Sequence, residues 1–173
     1  GAVVVDRCRS QGAVPTATVF SLAHLALALD GRSVLESGHL VVNDAAGATP
    51  SPEAQAADTT VLAGTLADRL RIREQLPQHA VIELAPPWVG ATDVLGSRWA
   101  LGADAGGLRP FSLADVVDLR GRHRALLVSS VELPSNLIPT AMHLLSFAGF
   151  PSVVVSDDGA ARSTLVDALA RDS

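Results

Sequence analysis

The sequence predicts a three-layer α/β sandwich, with a mainly parallel central sheet flanked by helices. Three observations carry this. From residue 38 onward, apolar runs of strand length alternate with segments of helix length. The runs "RALLVSS" (124–130) and "PSVVVSD" (151–157) are almost continuously apolar, as strands covered on both faces are. Apolar residues make up 48% of the 173 positions, which suits one domain, residues 1–173, with a sizeable core.

Each element follows in order. "GAVVV" (1–5) reads as a short strand, and "TATVFSLAHLALAL" (16–29) as a helix with a broad apolar face. "GHLVVND" (38–44) is a strand ending in turn residues. The Gly/Pro-rich stretch 45–58 reads as a loop. "TLADRLRIREQL" (65–76) is an amphipathic helix, with Leu66, Leu70, Ile72 and Leu76 inward and Arg69, Arg71, Arg73 and Glu74 outward. "HAVIELA" (79–85) is a strand stopped by Pro86-Pro87. Residues 88–110, rich in glycine and holding Trp88 and Trp99, read as a long surface connection. "SLADVVDL" (112–119) is a helix capped by Ser112, with Asp115 completing a weak capping box. After the strand at 124–130, "SNLIPTAMHLLSFAG" (135–149) is a helix closed by Gly149. The strand at 151–157 and a final helix at 161–172 complete the pattern.

In such sheets, ligands and catalytic groups gather beyond the carboxyl ends of the strands. The groups there are Asn43-Asp44, Pro86-Pro87, Ser129 to Glu132, and Ser156 to Asp158, with Glu83 slightly upstream.

Charge and composition narrow the function. Net charge is −5, which gives no general attraction to nucleic acid. The clusters Arg69-Arg71-Arg73 and Arg120-Arg122-His123-Arg124 read as solvated surface rather than phosphate sites. A single cysteine, Cys8, forbids an internal disulfide and suits a reducing cytoplasm. The uncharged stretch from Gln11 to Leu29 is diluted by Pro15, Thr16, Thr18, Ser21 and His24. The stretch from Leu137 to Val155 is broken by "GFP" (149–151), so no membrane association is expected. No GxGxxG, phosphate loop or GxSxG elbow is present. The five histidines (24, 39, 79, 123, 143) are scattered, so neither a metal nor a cofactor is expected. His143, inside an apolar helix, reads as a partly buried histidine.

Five ordered blocks carry a resemblance: "TVFSLAHLALAL", "HLVVNDAAG", "TVLAGTLADRLRIREQLPQHAVIELAPPW", "FSLADVVDLRGRHRALLVSSVE" and "NLIPTAMHLLSFAGFPSVVVSDD". In order and spacing, residues 16–160 resemble the CHAT domain, a caspase-like cysteine peptidase domain common in bacteria. The resemblance implies a caspase-like arrangement of the sandwich. It also implies a thiolate nucleophile and a histidine base on two neighbouring strand ends. The family's histidine falls on Pro87, or on Pro86 if the register slips by one. Its cysteine falls on Val131.

Proline offers no side chain to move a proton, and valine cannot attack a carbonyl. The resemblance therefore implies a degenerate domain that acts by binding, as a scaffold or regulator of a protein partner or as a homodimer, with Trp88 and Trp99 as interface anchors. The alternative is an enzyme of repurposed crevice residues: Ser129, Ser130, Glu132 and Glu83, with Asp157 and Asp158 on the adjoining strand end.

Overall fold

The computed structural model describes residues 37–43, 58–101, 110–156 and Thr164. The expected strand at 1–5, the helices at 16–29 and 161–172, most of the loop at 45–58, Cys8, His24, Asp44, Asp157 and Asp158 lie outside the described residues.

Within them the chain is an α/β sandwich. Its main sheet has five strands: β1 (His39–Asn43), β2 (Thr59–Ala63), β3 (Val81–Leu84), β6 (Ala125–Val128) and β8 (Val153–Val155). Their order is β2-β1-β3-β6-β8, and every pairing is parallel. A smaller sheet, ordered β5-β4-β7, joins β4 (Trp88–Val89), β5 (Arg98–Trp99) and β7 (Val131–Glu132). The helices are α1 (Arg69–Gln75), α2 (Leu113–Leu119) and α3 (Ile138–Phe147).

Topology explains where the helices lie. The connections β2 to β3, β3 to β6 and β6 to β8 all step the same way across the sheet. Right-handed crossovers of one direction deliver their helices to one face. Accordingly Ile72 of α1, Leu113 and Val116 of α2, and Ala141, Met142 and Leu145 of α3 share a core with Leu40, Val42, Ile82, Leu84, Leu126 and Val128. Strand alternation sends Val81, Ala125 and Leu127 to the second face, where they are also buried. Only the step from β1 to β2 runs the other way, so the sheet reverses direction at the β1–β3 boundary.

Local chemistry sets the helix ends. Asp68 caps α1, its carboxylate accepting from the Arg71 amide at 3.0 Å. Asp68→Ala is expected to cost about 1 kcal/mol in chemical denaturation, the usual loss for an N-cap. The Ser112–Asp115 capping box opens α2 as expected, with the Ser112 amide donating to Asp115 Oδ2 at 3.1 Å. After α3, Gly149 adopts φ +104°, and a Cβ there would sit 1.9 Å from the Gly121 carbonyl oxygen. Only glycine suits that turn.

The amphipathic reading of α1 needs correction. Ile72 and Leu76 are buried, but Leu66 and Leu70 are 45% and 67% exposed. Arg69 and Arg73 instead turn toward α2, where both bind Asp115 with contacts of 2.6 Å, and Arg73 also reaches Asp118 at 2.7 Å. Arg69 and Arg73 are thus ion-paired rather than simply solvated, while Arg71 between them stays exposed as expected. Asp115 is only 3% exposed. Burial pulls its carboxyl upward, but hydrogen bonds from Arg69, the Ser112 backbone and Arg73 outweigh this and hold it below its ordinary value. The same contacts with Asp115 and Asp118 raise both arginines.

Candidate crevice at the strand ends

The candidate site is built where β3 and β6 end side by side. Leu84 pairs with Val128 in register. The Ala85 amide makes one further bond, to Val42 O at 2.9 Å. Pro86 and Pro87 then have no N–H to donate, so the ladder stops. It resumes at once in the small sheet: the Trp88 amide donates to Ser130 O at 3.0 Å and the Gly90 amide to Glu132 O at 3.1 Å. Trp88 thus pairs with Val131, and Val89 with Glu132, in parallel.

The two positions that the resemblance singles out therefore lie on adjoining segments, Pro87 one residue before the partner of Val131. Pro86 is buried, Pro87 half-buried, and Val131 half-buried against the main core. The Pro87 carbonyl is used structurally, accepting from the Ala100 amide at 3.0 Å.

Trp88 and Trp99 close this end of the molecule from within. Both are fully buried, with rings stacked 5.1 Å apart at 13°. Phe111 packs on Trp99 at 5.4 Å. The Trp88 indole donates to Ser97 Oγ at 3.1 Å, and that hydroxyl donates to Val94 O at 2.5 Å. The expected interface anchors are thus core residues, although Gly90, Thr92, Asp93, Leu95, Gly96 and Arg98 between and beside them are exposed, as a surface connection requires. The two ends of the segment from Trp88 to Leu101 are drawn inward by the tryptophan pair, where each indole buries a large apolar area, while its glycine-containing middle stays at the surface.

The remaining candidates divide. Ser129 and Ser130 stand half-buried at the end of β6, and Glu132 is exposed. Glu83 is not at the crevice: it lies within β3, paired with Val41 and Leu127, with its carboxylate 3.5 Å from His39 Nε2 on the second face.

A serine nucleophile needs a base, and three of the four described histidines are elsewhere. His39, His79 and His123 stand at the amino ends of β1, β3 and β6. The four residues of β6, rising about 3.3 Å each, separate His123 from Ser129 by more than about 13 Å. His143 is exposed on α3 rather than partly buried. Among the described residues, no group of three or more His, Cys, Asp or Glu side chains is placed to hold a metal, and no helix is long and apolar enough to cross a membrane.

Sequence reading found the β3–β6 end but missed the histidines at the opposite edge. His79 is hydrogen-bonded on both ring nitrogens, with Nδ1 donating to Gln75 O at 2.7 Å and Nε2 accepting from Thr60 Oγ1 at 2.9 Å. His123 Nδ1 donates to His79 O at 2.8 Å, and its ring stacks on Phe150 at 4.2 Å. The only sequence signal was position, immediately before an apolar strand.

What the fold and strand ends define is an α/β domain with a proline-interrupted junction at the usual place of a catalytic site. No family model, curated protein or solved structure matches the chain.

Proposed function

We propose that the chain is a catalytically inactive relative of the caspase-like CHAT domains and works by binding a protein partner, as a scaffold or regulatory module. The observation that carries the reading is the Trp88–Val131 pairing. It supplies neighbouring strand ends of the kind a dyad requires, while the residues standing there are Pro87 and Val131. Pro87 and Val131 can exclude water and pack; their side chains cannot transfer a proton.

Rebuilding the dyad tests the reading. In a Cys8→Ser background, Val131→Cys with Pro87→His is expected to alkylate about tenfold or more faster at pH 7 than Val131→Cys alone, because a nearby histidine raises the thiolate fraction. Alkylation of the double variant at the rate of free cysteine would contradict the alignment.

A further inference from the structure

The opposite edge of the sheet carries a feature the binding reading does not use. His123 is 1% exposed and joins three strands at their amino ends. Its Nδ1–H binds the His79 carbonyl ahead of β3, its ring lies on Phe150 ahead of β8, and its own amide donates to Gly149 O at 3.2 Å. The Gly121 amide closes the same corner on Ala148 O at 2.9 Å. With Nδ1 donating, Nε2 holds a lone pair. That nitrogen is buried without a hydrogen-bond partner, and it lies so close to Gly121 that a Cβ there would meet it at 1.7 Å.

We propose that His123 is a pH-operated latch: neutral, it pins β6 to the starts of β3 and β8; protonated at Nε2, it releases the Gly121–Gly149 corner.

A proton on Nε2 would create a buried cation whose new donor has no acceptor. The titratable group facing it among the described residues is His79, from the start of β3. Its chain neighbours Arg122 and Arg124 are also cationic, while Gly149 and Phe150 on the β8 side carry no charge. Among the described residues, no carboxylate enters the electrostatics of this imidazole. Burial accordingly holds the imidazole below its ordinary pKa. Opening the corner hydrates Nε2 and restores an ordinary histidine. The sign follows: the open form takes up the proton first, so opening grows as pH falls below about 6.5. The corner, held by two glycine-linked backbone bonds, opens at lower cost than the sheet centre.

Amide hydrogen exchange on the full chain, expressed as protection factors, tests this. The Gly121 and His123 amides are expected to be less protected than those of Ile82 and Leu126 at every pH. Below pH 6.5 their protection falls about tenfold per pH unit, until the pKa of the closed form is reached. His123→Phe keeps a ring on Phe150 and abolishes the fall. His79→Gln keeps the accepting carbonyl and preserves it. Four results would overturn the latch: corner amides as protected as the sheet centre, protection independent of pH, a fall that persists in His123→Phe, or one that vanishes in His79→Gln. Should His123→Phe fail to fold, the wild-type ring spectrum decides. A neutral Nδ1–H ring at pH 6 supports the latch, and an imidazolium contradicts it.

Discussion

Trp88→Ala is expected to destabilise the chain by about 4 kcal/mol, the usual cost of deleting a fully buried tryptophan. Three losses combine. The ring is completely buried in the main core. It stacks on Trp99, an arrangement worth about 1 kcal/mol beyond the area it buries. Its indole N–H satisfies Ser97 Oγ, which anchors the turn before β5. The same substitution removes the side chain at the register partner of Val131, so the strand-end junction loosens with the core. Trp88→Phe keeps a ring against Trp99 and gives up the hydrogen bond, so its cost should fall to about 1–2 kcal/mol. Urea midpoints at unchanged slope measure both values.

Asp115→Ala is expected to cost about 3 kcal/mol. Removing one partner of a buried ionic network leaves the others uncompensated, and the lower end of the usual range applies because Arg69 and Arg73, about a quarter exposed, can turn to water. The loss is also visible in acid. Asp115 is held below its ordinary carboxylate value, so its contribution is fully present above the unfolded-state pKa near 4. It disappears as pH falls through the lower folded-state value. The wild type should therefore lose stability more steeply below about pH 4 than Asp115→Ala does. Parallel acid profiles would remove Asp115 from the account.

These effects mark where the sequence was readable. Strands β3 and β6 are apolar runs because both their faces are largely buried, whereas β1 alternates buried and half-buried residues and the edge strand β8 buries only Val153 fully. β2 escaped notice: "TTVLA" has one buried residue, Leu62, at the edge of the sheet, and it follows a Pro-rich segment. β4, β5 and β7 have two residues each, and their pairing is a tertiary event that leaves no local period. On α1 the inward face was assigned to Leu66 and Leu70, whereas Asp115, 46 positions beyond Arg69, draws the arginines in. A partner so distant cannot be read from helical periodicity. At the strand ends, position was legible and environment was not. Ser129, Ser130, Pro87 and Val131 do lie at the β3–β6 junction, but the buried tryptophan pair beside it had the sequence surroundings of a surface loop.

Under the proposed function this junction packs and binds and performs no acyl chemistry. The most direct measurement is labelling of the full chain with a fluorophosphonate probe, read by peptide mapping at Ser129 and Ser130. The account predicts no modification at either serine beyond that of the unfolded chain. Labelling of the folded protein that disappears in Ser129→Ala or Ser130→Ala would contradict it and return the crevice to catalysis.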